Sequence, residues 1–164
     1  EPEWCRQVYT SVINDKENQD VEDLIKLAGT IAINDLNNKD MVKEIFKKVE
    51  TMGSYLDDFI LLAGGVSDKD GLNDKKWSEE LFQKGLILFC SNDYKEHPNV
   101  KEYDWDNEFE LLSSSIDNSY HYPWPILKKW QDTIDAISDK LENGASKEDA
   151  VIDYLDDKHK KKIV

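Results

Sequence analysis

VEDLIKLAG (Val21–Gly29) and LDDFILLAG (Leu56–Gly64) are two copies of one pattern, set 35 residues apart. LNNKDMVKEIFKKVE (Leu36–Glu50) recurs in the same way as LNDKKWSEELFQKGL (Leu72–Leu86), one residue further on. The opening segment aligns with the second of these blocks, because Trp4, Val8 and Tyr9 match Trp77, Leu81 and Phe82. A period of this size is typical of helical hairpins, each of which needs a neighbour to cover its apolar face.

The repeat predicts an all-α fold of stacked antiparallel helical hairpins, a TPR/HEAT-like α-solenoid with a helical C-terminal extension. We expect one domain over residues 1–164: a repeat region at 3–90, an acidic-aromatic region of loop and short helix at 91–124, and a C-terminal helical hairpin at 125–157. In that hairpin, Pro125 suits the first turn of a helix and Gly144 suits the position just after its end. Ser146 is expected to cap a last helix that runs through Leu155, followed by a frayed basic tail.

Glycines give three further expectations. Gly29 and Gly64 occupy the same place in the two copies, inside a helix, where glycine costs about 1 kcal/mol relative to alanine. We therefore expect both to mark a close approach between helices. Gly71 lies in DKDGLNDKKWSEE (Asp68–Glu80), which superficially resembles a calcium-binding loop but places Val66 and Trp77 where carboxylates are required. A helix–helix turn with Gly71 in the left-handed conformation is favoured instead.

The net charge of −14 over 164 residues is large for a chain of this size. It disfavours nucleic acid and anionic membrane surfaces as partners, because like charges repel. It favours a basic protein partner, although solubility alone would also account for it. No stretch is long and apolar enough for a transmembrane helix, and we expect a cytoplasmic protein.

The sequence shows no catalytic constellation. Its histidines, at 97, 121 and 159, have no zinc-type spacing, and we expect each to be solvated. No GxSxG, Walker or GxGxxG motif is present, so we expect no cofactor, no metal and no enzyme activity. Cys5 and Cys90 are far apart on apolar helical stretches, which predicts two free, buried thiols in a reducing compartment.

The segment after the repeats interleaves carboxylates with aromatic rings. Carboxylates can pair with partner arginines, and tyrosine and tryptophan are frequent anchors of protein interfaces. The same rings could instead cap the end of the repeat stack. The predicted partner-binding residues are Glu102, Tyr103, Asp104, Trp105, Asp106, Glu108, Tyr120 and Tyr122.

The blocks KKWSEELFQK (Lys75–Lys84), KDMVKEIFKK (Lys39–Lys48) and PEWCRQVYTS (Pro2–Ser11) resemble helical repeats of bacterial proteins. These include immunity proteins encoded beside polymorphic toxins, such as those of contact-dependent growth inhibition systems. The resemblance covers residues 3–90, and it differs from the family where Cys5, Val42 and Ser78 replace a small alanine.

The resemblance implies an immunity protein that binds and neutralises a cognate toxin, and the charge favours a basic, nuclease-type toxin. A helical-repeat adaptor or chaperone-like scaffold for another basic partner is the alternative. A toxin gene immediately upstream would favour the first.

Overall fold

The computed structural model describes residues 3–15, 20–34, 38–69, 71–91 and 125–163. Over these residues the chain is helical and contains no strand. The repeat region holds α1 (Glu3–Asn14), α2 (Val21–Asn34), α3 (Lys39–Met52), α4 (Leu56–Ser67) and α5 (Lys75–Cys90). The C-terminal part holds α6 (Pro125–Glu142), α7 (Lys147–Val151), a 3-10 turn (Ile152–Tyr154) and α8 (Asp157–Lys160). The all-α prediction is confirmed.

Helix α2 packs against α3, α4 packs against α5, and α2 also meets α4. Helix α6 packs on α4, while α7 and α8 pack on α5. Equivalent positions of the two copies lie in the same core: Leu24 is 2 % exposed and Phe59 is 8 %, and Phe46 and Phe82 are each 2 % exposed. The repeat in the sequence therefore corresponds to a repeat of burial.

Polar groups fix the helix ends within the repeat region. Asn38 accepts a hydrogen bond from the Met41 amide at the start of α3, and Asp74 accepts one from the Trp77 amide at the start of α5. Such bonds satisfy amides that have no partner within the helix. The Asp58 carboxylate accepts from the backbone amide that precedes α4, at Tyr55.

The contact between α4 and α5 is close, and glycine is one reason. A Cβ at Gly85 would lie 2.9 Å from the Phe59 Cβ and 3.0 Å from the Leu56 Cδ1. A Cβ at Gly65 would lie 3.1 Å from the Phe46 ring. At Gly29, by contrast, an added Cβ would meet nothing within 4 Å. The expectation that Gly29 marks a close approach is therefore wrong, the same expectation for Gly64 stays a prediction, and close contacts lie at Gly65 and Gly85.

The turn between α4 and α5 also differs from expectation. Among the described residues, the positive φ in this turn belongs to Asn73, at 52°, and not to Gly71. The Asp68 carbonyl accepts the amides of both Gly71, at 3.1 Å, and Asn73, at 3.0 Å. Asparagine tolerates the left-handed region better than most residues, so it can close this turn. Gly71 serves packing instead, because its Cβ would lie 3.3 Å from the Gly65 carbonyl.

Three residues at the ends of the C-terminal helices behave as predicted. Helix α6 starts at Pro125, Gly144 has a φ of 85° just after the helix, and the Ser146 hydroxyl accepts from the Asp149 amide at 3.1 Å. The last helix does not run through Leu155, because α7 ends at Val151 and a 3-10 turn follows.

The basic tail is not frayed, since α8 forms there and packs on α5. His159 within it is 1 % exposed, so the expectation that this histidine is solvated is wrong. The other two histidines, at 97 and 121, lie outside the described residues.

Candidate interaction surface

The partner-binding residues predicted from the sequence, between Glu102 and Tyr122, all lie outside the described residues. Two other acidic stretches are partly described. They lie at the helix junctions near Asp35–Asp40 and Asp68–Asp74. There the Asp74 carboxylate is used internally as the cap of α5. Asp40 is exposed in the first turn of α3, where a negative charge is favourable beside the helix N-terminus. These carboxylates stabilise helix ends.

Helix α6 presents one acidic face to solvent. Asp132, Asp135, Asp139 and Glu142 are spaced three, four and three residues apart and are all exposed. This spacing places them along one side of a helix. We call these four residues the α6 acidic face.

The opposite side of the same helix fixes its orientation. Trp130, Ile134 and Ile137 are each 0 % exposed, and the Trp130 ring stacks on Phe82 with 4.8 Å between ring centroids. Large buried rings of this kind contribute strongly to packing. The α6 acidic face is therefore held outward by a rigid core contact.

Lys129 and Lys140 of α6 are paired with carboxylates outside this face. The Lys129 Nζ lies 3.1 Å from Glu79, and the Lys140 Nζ lies 2.7 Å from Asp153. The Lys140 hydrogen bond lowers the pKa of the Asp153 carboxyl, and the same contact raises the pKa of the Lys140 ammonium. Within the described part of the chain, Asp132, Asp139 and Glu142 form no ion pair. Their charges are consequently available to attract a cationic partner.

The α6 acidic face was not predicted from the sequence, although the spacing of the carboxylates in DTIDAISDKLE (Asp132–Glu142) indicates it. The apolar residues Trp130, Ile134 and Ile137 of the same helix follow a spacing of four and three. The same period applied to the carboxylates would have placed them on the opposite side.

The polar interior of the described residues serves structure. The Gln83 amide donates to the Tyr154 carbonyl at 2.7 Å and accepts from the Asp156 amide at 2.9 Å, which ties the 3-10 turn to α5. Asp156 also accepts from the amide and the ring of His159, and these hydrogen bonds lower the pKa of its carboxyl. The Ser78 hydroxyl donates to the Ala63 carbonyl at 2.7 Å between α5 and α4.

Cys90 is a free, buried thiol, as predicted, and burial raises its pKa to about 12. The side chain of Cys5 lies outside the described residues. Across the described ranges, no group of histidine, cysteine and acidic side chains is arranged to hold a metal ion. No described helix is long and apolar enough to cross a membrane.

No family of known proteins, no curated protein and no solved structure matched this chain.

Proposed function

We propose that this chain is a cytoplasmic, non-enzymatic immunity protein that binds and neutralises a basic toxin domain. The α6 acidic face is the observation that carries the proposal among the described residues. Its carboxylates point away from the core side of the helix, and Asp132, Asp139 and Glu142 form no ion pair with other described residues. An exposed row of like charge on a rigid helix suits a partner that carries the opposite charge.

A nuclease-type toxin fits this requirement because its substrate cleft must itself attract polyanions. The net charge of −14 would speed encounter with such a cleft and would repel the toxin's nucleic-acid substrate. The proposed architecture is a TPR/HEAT-like α-solenoid of stacked hairpins, in which the repeat region is the scaffold and the acidic contact surfaces follow it in the chain. The acidic-aromatic segment around Asp104–Glu108 remains the second proposed contact.

The test begins with the neighbouring genes. Each adjacent open reading frame is expressed with and without this chain, and rescue of growth identifies a toxin that it neutralises. Affinity for the purified toxin is then compared among three triple variants with equal changes of charge. The first variant carries Asp132→Lys, Asp135→Lys and Asp139→Lys on α6. The second carries Asp104→Lys, Asp106→Lys and Glu108→Lys in the acidic-aromatic segment. The third, the matched control on α2 and α3, carries Asp23→Lys, Asp40→Lys and Glu44→Lys.

We expect the α6 variant to weaken the complex strongly and the α2–α3 control to have a small effect. Thermal stability should be nearly unchanged in the α6 variant, because its substituted side chains are exposed, and should fall modestly in the control, because Asp40→Lys places a positive charge beside the N-terminus of α3. Association should slow as salt increases, since the Debye length falls from about 10 Å at 0.1 M to about 3 Å at 1 M. Equal loss in all three variants would indicate a general charge effect. Unchanged affinity in all three, or no toxic neighbour, would refute the proposal.

A further inference from the structure

An asparagine is followed directly by a glycine at one place in the sequence, Asn143–Gly144. The pair lies at the C-terminal end of α6, and both residues are exposed. Glycine has no side chain, so its backbone nitrogen can approach the side-chain carbonyl carbon of the preceding asparagine without a steric clash. The pair also lines an open surface cleft, so water reaches the asparagine side chain. These are the conditions under which an asparagine side chain loses its amide group.

The amide group of Asn143 has a defined role in the folded protein. Its Nδ2 donates a hydrogen bond to the Asp139 backbone carbonyl at 2.7 Å. The Asn143 backbone amide donates to the same carbonyl at 3.2 Å. This carbonyl belongs to the last turn of α6, where carbonyl groups run out of partners within the helix. The Asn143 side chain therefore caps the C-terminal end of α6.

Two further hydrogen bonds hold the backbone after α6. The Gly144 amide donates to the Leu141 carbonyl at 2.9 Å, and the Ala145 amide donates to the Lys140 carbonyl at 3.0 Å. Together with the φ of 85° at Gly144, these bonds form a Schellman motif. The Gly144 nitrogen can attack Asn143 only when its own hydrogen bond opens. Helix ends open by local fluctuation, without unfolding of the whole protein. The fold therefore slows this attack and still permits it.

We propose that Asn143 is a site of spontaneous deamidation, which converts a capping amide into a carboxylate. The Gly144 backbone nitrogen attacks the side-chain carbonyl carbon of Asn143 and forms a new C–N bond. The bond from that carbon to Nδ2 breaks, and the amide nitrogen leaves as ammonia with the proton from the Gly144 nitrogen. Water then hydrolyses the cyclic imide at either of its two carbonyl groups. One product is aspartate, and the other is isoaspartate, which has an extra methylene group in the backbone.

Both products weaken the end of α6. A carboxylate is only an acceptor, so the Asp139 carbonyl loses a donor and faces a negative charge instead. The new charge lies at a helix C-terminus, where negative charge is unfavourable. It is also four residues after Asp139 and beside Glu142, which are both acidic. Deamidation therefore adds a carboxylate to the α6 acidic face and loosens the junction between α6 and α7. This inference does not depend on the proposed function.

The first experiment follows the purified full chain over time in neutral buffer by peptide mapping and mass spectrometry. The peptide that contains Asn143 should gain the mass difference between a hydroxyl and an amino group. It should separate into two chromatographic forms, one with aspartate and one with isoaspartate. Asn73 is the internal control, because it is also exposed and lies in a turn, with a φ of 52°, but is followed by Asp74. Deamidation at Asn143 that is no faster than at Asn73 would overturn the proposal.

The second experiment tests the effect of the product on α6. Asn143→Asp reproduces the aspartate form, and Asn143→Gln is the matched control, because it keeps a neutral amide that cyclises far less readily. Hydrogen exchange of the Gly144 and Ala145 amides should be about twofold to tenfold faster in Asn143→Asp than in the wild type, the factor that corresponds to loss of one hydrogen bond. Peptide mapping of Asn143→Gln should show no change at this position. Wild-type exchange rates in Asn143→Asp would refute the capping role.

Discussion

Glycine-to-alanine substitutions inside helices α2 and α5 should have opposite effects on stability, although both sites are helical. Alanine is favoured over glycine in a helix interior by about 1 kcal/mol. At Gly29 the added methyl group meets nothing within 4 Å, so Gly29→Ala should stabilise the protein by up to about 1 kcal/mol.

At Gly85 the same methyl group would lie 2.9 Å from the Phe59 Cβ and 3.0 Å from the Leu56 Cδ1. The Phe59 Cβ cannot rotate away, because it is bonded directly to the backbone, so α4 and α5 must separate. Overpacking of this kind costs about 1–3 kcal/mol. The gain in helix propensity offsets part of that cost, and the Gly29→Ala and Gly85→Ala variants should differ by about 1–3 kcal/mol in the free energy of unfolding.

Urea denaturation measures this difference in the free energy of unfolding. A shift of the urea midpoint reports a change of stability when the slope of free energy against urea concentration stays the same. Gly65→Ala should lie between the two variants, since its closest contact, at 3.1 Å, is the outer edge of the Phe46 ring, which can tilt. If Gly85→Ala proved as stable as Gly29→Ala, the close contact of α4 with α5 would be wrong.

Three further outcomes follow from the polar interior. Gln83→Leu should lower the free energy of unfolding by about 2–3 kcal/mol, because the Tyr154 carbonyl and the Asp156 amide lose their side-chain partner. Hydrogen exchange of the Asp156 amide should become faster. An exchange rate equal to that of the wild type at this amide would contradict the prediction. The hydrogen bonds from His159 lower the pKa of the Asp156 carboxyl. Their stabilisation is therefore fully present above the unfolded-state pKa of about 3.9 and is lost as the pH falls through the lower folded-state pKa. Asp156→Asn should remove this part of the acid sensitivity in urea titrations, and a pH profile identical to that of the wild type would count against it. Cys90 should react slowly with a thiol reagent in the folded protein, because burial raises its pKa to about 12. The denatured, unreduced chain should yield two thiols, one of them from Cys5. A titre of zero would mean that the two cysteines are paired.

The sequence by itself determined the features that depend on neighbouring residues. The three-and-four spacing of apolar residues defined the helices of the repeat, and turn chemistry located Pro125, Gly144 and Ser146 at the ends of the C-terminal helices. These signals are local, because the helical period, the fixed φ of proline and the freedom of glycine act within a few residues. The burial of both Leu24 and Phe59 could be predicted from the sequence for the same reason.

The candidate interaction surface could be predicted only in part from the sequence. The residues predicted around Asp104 lie outside the described part of the chain, so that prediction stays a prediction. The α6 acidic face was contained in the sequence as a helical spacing of carboxylates. Only the structure shows what covers the apolar side of α6, because Trp130 stacks there on Phe82 from a distant helix.

Only the tertiary structure decided which residues meet across helices. Gly29 and Gly85 are both interior helix glycines, and the difference between open space and a contact of 2.9 Å comes from the helix opposite each one. His159 reads as part of a charged tail, yet the packing of α8 on α5 buries it. Contacts between distant segments depend on how whole helices are placed, and a local pattern carries no information about the atoms that a distant helix brings to the same point.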